Sequence, residues 1–299
     1  MTTLRDIALV ARFEVLRAIR TWRAHALLLL YGIAYGGASY LFVMILHAME
    51  NSVASSLGVA KTDRPGALLD QLVESDLFGD MIAGMTGGDA LLDLLTTIPP
   101  LAIFGMWLGL LLIPFFAASS AAECISIDLG SRALRFEALR TGRFELLLGR
   151  FSGQLVLSAL ATVIALLVVW AVGMLFMVGH TAVGLASWLL WLSSRAWLFS
   201  IPFVGIGVAA SAATASPAWA RVMAIGATAG TWVLYGLAAW LEGGSWSVLS
   251  DLAYQLLPQG WMQGLWEPVV GWVPSALVLT VLGLAAAGVG QARFAMRDL

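Results

Sequence analysis

Long apolar runs separated by short polar stretches dominate the chain, and the runs set the architecture. Six of them, at about 25–48, 99–122, 151–179, 196–214, 220–241 and 271–292, carry no Asp, Glu, Lys or Arg in their middles. A helix needs about 20 apolar residues to cross a ~30 Å hydrocarbon core, so each run predicts one membrane span. Pro99-Pro100 opens the second, where proline suits a first helical turn. The 29 uncharged residues of the third exceed one crossing, which implies tilt or projection beyond the bilayer. Between the third and fourth runs, "LASWLLWLSSRAW" predicts a Trp-rich helix lying in the interface, with the fourth span starting near Arg195.

Before the first run, residues 1–24 repeat a different pattern. Leu4, Ala8, Ala11, Val15, Ala18 and Trp22 recur at steps of three and four, predicting an amphipathic helix. Arg5, Arg12 and Arg23 occupy the other side, where Phe13 and Leu16 intrude and favour contact with protein as well as anionic lipid. The arginines spread through this segment argue against a secretory signal.

Composition agrees with the pattern. The 299 residues are 60% hydrophobic and 11% charged with mean hydropathy +0.90, against roughly 25% charged in soluble proteins. This predicts an all-α, polytopic membrane protein forming one transmembrane domain over 1–299. The single Cys124 excludes an internal disulfide. With both ends on one side, that side holds 13 of the 16 Lys and Arg residues and becomes the cytoplasmic one. The opposite side carries 11 of the 18 acids, eight of them in the 49–98 loop.

Residues 123–150 hold nine charges in 28 positions, five of them arginine. Ser131–Arg140 reads as a short helix on which Asp128 can meet Arg132, and Glu137 can meet Arg140. Thr141-Gly142 supplies a turn before "RFELLLGR" leads into the third span. Phe136 and Leu139, flanked by Arg132, Arg135 and Arg140, have the composition of a docking surface for a soluble partner. A solvated loop whose arginines only set topology has the same charge content.

Chemistry of its own is not evident in the chain. Lys61, the single lysine, follows Val-Ala rather than a glycine-rich turn, so no P-loop is present. The spans lack the central carboxylates that ion-coupled transporters use. His-Glu-x-x-His and Gly-x-Ser-x-Gly are absent, and "Ala118-Ser119-Ser120-Ala121" offers small residues for packing rather than a nucleophile. Gly32/Gly36 and Gly226/Gly230, four residues apart, are candidates for close helix packing or a dimer interface.

The order of features from Glu123 onward (Asp128, a Gly-Ser turn, a short helix, "RTGR", "LLLGR") resembles the type-2 permease subunits of ATP-binding-cassette exporters. The tail "ARFAMRDL" resembles that family's basic ending. Where typical members have Pro or Ser near Thr141-Gly142 and Lys at Arg150, this chain departs while keeping a turn and a positive charge. The resemblance implies a non-catalytic permease in a bacterial inner membrane, both termini cytoplasmic. It implies a partner ATPase that holds ATP and Mg, while this chain binds no cofactor. It further implies a second permease copy or related permease, lipid contact and no nucleic acid. Arg132, Arg135, Phe136, Leu139, Arg140, Thr141 and Gly142 would dock the ATPase, and Arg12, Phe13 and Leu16 would form an N-terminal interface. Residues 243–270 resemble the family's short outer helices. A non-transporting membrane scaffold or an intramembrane enzyme are the alternatives.

Overall fold

A computed structural model describes residues 2–58, 60, 63–69, 72, 76–86, 98–138, 141–242, 247–267 and 270–296. Among them all regular structure is helical. The helices are α1 (Thr2–Ile19), α2 (Trp22–Leu57), α3 (Asp76–Thr86), α4 (Pro100–Ala121), α5 (Ser126–Gly130) and α6 (Leu134–Ala138). They continue with α7 (Arg143–Phe176), α8 (Ala182–Ala213), α9 (Pro217–Leu241), α10 (Ser247–Leu256) and α11 (Trp272–Ala295). Two 3-10 turns, Pro258–Trp261 and Gln263–Trp266, join α10 to α11. Six helices, α2, α4, α7, α8, α9 and α11, are long and apolar enough to cross a membrane.

Helix α8 is the hub, packing against α4, α11, α7 and α9. Across its most apolar stretch it is 72% buried, as is α4, whereas α9 is 17% buried and lies at the edge. With no water to drive apolar association inside a bilayer, close packing of small residues takes over. A Cβ on Gly205 would lie 2.3 Å from Gly283 O, and one on Gly207 2.6 Å from Ala118 O. These two glycines let α11 and α4 approach α8 backbone to backbone.

The fourth span differs from its expected form. It does not begin near Arg195 after an interfacial helix; α8 runs unbroken for 32 residues through the "LASWLLWLSSRAW" stretch. The guanidinium is accommodated inside the fold. Arg195 lies 3.6 Å from the centre of the Trp191 ring and donates to Leu265 O at 3.0 Å and Glu267 O at 2.7 Å. A charge stacked and hydrogen-bonded in this way need not end a helix.

Helices α2 and α7 have 36 and 34 residues, about 54 and 51 Å at 1.5 Å per residue, well beyond a ~30 Å core. At the end of α2 remote from α1, the buried Glu50 carboxylate accepts from Gly66 N, 2.9 Å from each oxygen, and from Leu68 N at 3.3 Å. Val178 N in turn donates to Pro65 O at 2.9 Å. Gly66 has φ +99°, and a Cβ there would lie 2.2 Å from Val178 O, so only glycine fits this bridge to the α7–α8 turn.

Candidate functional site

The polar segment after α4 is wired into the helices on three sides. Ser211 Oγ, near the end of α8, accepts from Ile125 N at 2.8 Å and Ser126 N at 2.9 Å, tying the start of α5 to the hub helix. From α7, the Arg150 guanidinium donates to Cys124 O, to Asp128 Oδ2 and, at 2.5 Å, to Glu137 Oε2. From α1, Arg17 Nη1 donates to the same Asp128 Oδ2 at 2.7 Å and Nη2 donates to Cys124 O at 3.2 Å. Arg17 Nη2 also lies 2.8 Å from Glu14 Oε2.

The cluster is buried. Arg150 is 2% exposed and Glu14 3%. Ionised groups so far from water persist only when paired and hydrogen-bonded. Burial works against the Arg17 charge, but Glu14 and Asp128 outweigh it and raise the guanidinium pKa above its ordinary value. Gln154 completes the polar chain: its Nε2 donates to Glu14 Oε1 at 2.8 Å, and its Oε1 accepts from Ser120 Oγ at 2.9 Å. A displacement of α5 or α6 is therefore felt at once by α1, α7 and α8.

Helix α1 lies against the start of α7 through glycine. A Cβ on Gly149 would fall 2.5 Å from Val10 Cβ and 2.9 Å from Ile7 O, and one on Gly153 2.8 Å from Glu14 Cβ. The inward face of α1 thus runs through Ile7, Val10, Ala11, Glu14 and Arg17, rotated from the expected apolar face, whose Leu4, Ala8 and Trp22 are exposed. Arg12, Phe13 and Leu16 all point away from α7 and are exposed, leaving them free for a partner or lipid.

Of the expected helix over Ser131–Arg140, the described helical part is α6, Leu134–Ala138. Arg132 takes φ +60°, in the left-handed region, in the turn that separates α6 from α5 before it. Asp128 pairs with Arg17 and Arg150 rather than with Arg132, and Glu137 pairs with Arg150. The guanidiniums of Arg150 and Arg17 hold Asp128 in place of Arg132, an exposed neighbour in the chain. Phe136 is 74% exposed and Arg132 is exposed beside it in the chain. Thr141 is half-buried and Gly142 caps α7. Leu139, Arg140 and the side chain of Arg135 lie outside the described residues.

Gly32 and Gly36 pack within the chain, on Ile164 and Val168 of α7. Gly226 and Gly230 on α9 have open space around them. Sequence reasoning did not single out Glu14, Arg17 and Gln154, and it named Asp128 and Arg150 without the partners they have here. The available signal was an ionisable residue at a helix face otherwise made of small side chains, as Glu14 is between Ala11 and Ala18. Among the described residues no group of His, Cys, Asp and Glu could hold a metal ion.

No protein-family model matches the chain, and no curated protein is significantly similar to it. What the fold establishes is an integral, polytopic membrane protein, helical in its regular structure throughout the described residues, whose six long apolar helices are consistent with a multi-span transporter.

Proposed function

We propose that the chain is the permease subunit of an ATP-driven exporter of the ATP-binding-cassette class, working by alternating access with a separate ATPase. The observation that carries this reading is the dual character of residues 123–142. The segment is held to α1, α7 and α8 by buried ion pairs and hydrogen bonds, yet it turns Phe136 outward. A loop that only set topology would need neither.

In this reading an ATPase grips Phe136 and closure of its dimer pushes α6. Glu137 passes the push to Arg150 and hence to α7, while Asp128 passes it to Arg17 and α1. Rigid coupling through buried charge suits such a lever, because each ion pair has one low-energy geometry. Two permease copies would complete the exporter, with the open faces of Gly226 and Gly230 available to a second chain. The side bearing α1 is cytoplasmic by its excess of arginine.

Co-purification from detergent tests the proposal. The wild-type chain should bring down an ATPase subunit, and Phe136→Asp should release it while the permease still elutes as one folded species. A partner surface closing on Phe136 would have to bury an unpaired carboxylate, at a cost of several kcal/mol. A Phe136→Asp chain that retains its ATPase and transport, or a wild-type chain that carries none, overturns it and favours the scaffold.

A further inference from the structure

Where α2 and α9 begin, beside Glu123, the bundle opens into a cavity of about 640 Å³. Its polar wall is Arg23, Glu123 and Arg221, and its apolar wall is Ala26, Leu27 and Leu30 of α2. Both guanidiniums address one carboxylate oxygen: Arg221 Nη2 is 2.6 Å and Arg23 Nη1 3.6 Å from Glu123 Oε1. Two cations share one anion, so the site carries a net positive charge. Arg221 Nε is also buried without a hydrogen-bond partner. The first turn of the 25-residue α9, at Ser216–Ala218, adds the positive end of a long helix to the same wall.

Position narrows what such a site accepts. Trp22 lines it, Trp219 follows its wall residue Ala218 in the chain, and the two are 80% and 65% exposed, as aromatic residues are at the headgroup level of a membrane. Immediately above, Leu29, Leu30 and Ile33 of α2 and Val222 of α9 are exposed to the apolar phase. A ligand with an anionic head and a hydrocarbon body matches both halves; a soluble anion matches only one. We propose that this cavity binds the phosphate headgroup of an anionic lipid from the leaflet on the α1 side, bridging Arg23 and Arg221.

Glu123 is the built-in competitor. Its carboxylate already occupies the place between the arginines, so a lipid phosphate must share or displace it. It also lines a second cavity, of about 520 Å³, whose wall includes Glu14, Arg17 and Gln154. Trp22, Arg23, Leu27 and Glu123 belong to both cavities. A headgroup that moves Glu123 thereby acts one side chain away from the buried cluster that holds α1. This inference needs only α2 and α9 to span a membrane and stands whether or not an ATPase binds.

Native mass spectrometry of the purified chain in a neutral detergent tests it, with dioleoyl phosphatidylglycerol, dioleoyl phosphatidylcholine and inorganic phosphate as probes. Phosphatidylglycerol should bind about tenfold more tightly than phosphatidylcholine, whose phosphate charge is offset by its own choline ammonium, which the two arginines repel. Arg23→Gln with Arg221→Gln should erase that preference, whereas Arg5→Gln with Arg293→Gln, which removes the same two charges elsewhere on that side, should leave it. Glu123→Gln should strengthen phosphatidylglycerol binding, a gain that misfolding does not imitate. Equal binding of the two lipids, an Arg23/Arg221 effect no larger than that of the Arg5/Arg293 control, or weaker binding in Glu123→Gln overturns the proposal. Inorganic phosphate that displaces phosphatidylglycerol at millimolar concentration makes the site one for a soluble anion and overturns the lipid assignment.

Discussion

Arg17 Nη1 lies 2.7 Å from Asp128 Oδ2, joining the first helix to a segment 111 residues later. The same carboxylate oxygen accepts from Arg150 of α7. One acid thus fixes an amphipathic helix, a polar loop and a membrane span relative to one another. Among the described residues, the carboxylates that pair with these two arginines are Asp128, Glu14 and Glu137. The arrangement makes α1 part of the bundle rather than an element adrift on the membrane surface.

Arg150→Ala should therefore be among the most disruptive single changes in the chain. It leaves Asp128 and Cys124 O with Arg17 as their remaining donor and takes Arg150 from Glu137, and should cost about 3 kcal/mol, the lower end for a broken buried pair. Replacing the pair together, Asp128→Leu with Arg150→Met, should recover much of the loss, since apolar groups of similar size need no partner. Thermal unfolding in detergent, with trypsin cleavage at the arginines of α1, measures both effects. Unchanged unfolding and unchanged protection of α1 in Arg150→Ala would show that the cluster holds nothing.

Two sets of glycines should respond oppositely to alanine. Gly149→Ala with Gly153→Ala places methyl groups within 3.1 Å of Ile7 O and Ala11 O, and backbone oxygens cannot rotate away. Overpacking of this kind costs about 1–3 kcal/mol and should loosen α1. Gly226→Ala with Gly230→Ala meets nothing within 4 Å and should leave the stability of a single chain within about 0.5 kcal/mol. If the α9 pair nonetheless weakens self-association in analytical ultracentrifugation, that face carries a second chain. Equal destabilisation by both pairs would contradict the packing described.

The six spans were legible because a stretch of about 20 uncharged residues has few fates other than a membrane crossing. The continuity of α8 was not. Arg195 read as a boundary because a charge inside a span is costly, and the carbonyls that satisfy it lie some 70 residues away in sequence, at Leu265 and Glu267. The inward face of α1 was hidden for a related reason. Its contact is made by Glu14 and by glycines on α7, so the burial does not follow the apolar period. Charge density in 123–150 marked the polar segment, but the count cannot say which charges pair. Asp128 passes over Arg132 for Arg17 and Arg150, and Glu137 meets Arg150 13 residues on, pairings that only the folded bundle brings within reach.

Orientation can be read by cysteine labelling in a Cys124→Ala background. Ser55 and Ser131 are both exposed, so a lack of reaction at either reports on the membrane rather than on burial. The asymmetry of 13 basic residues against three leads to labelling at Ser55→Cys by an impermeant reagent in intact cells and none at Ser131→Cys. The reverse result would invert the chain and move the proposed docking surface to the outside.

Arg195 supplies the last test, on the face opposite α1. Its Nη1 is the donor for both Leu265 O and Glu267 O, and the planar guanidinium stacks on Trp191 at 3.6 Å. An ammonium can donate to both carbonyls from its one nitrogen but has no planar face to stack on Trp191, so Arg195→Lys should recover only part of what Arg195→Ala loses. Leaving the buried Leu265 carbonyl without its donor costs about 1–3 kcal/mol, and losing the part-buried bond to Glu267 O adds less. Because those carbonyls belong to the segment between α10 and α11, the loss should be local, freeing the 3-10 turn Gln263–Trp266 before the spans separate. Hydrogen exchange should then rise across 258–267 while α4 and α8 stay protected. Full rescue by lysine would mean that a positive charge alone suffices there, and uniform exchange across the bundle would mean that Arg195 holds the hub helix instead of the segment beside it.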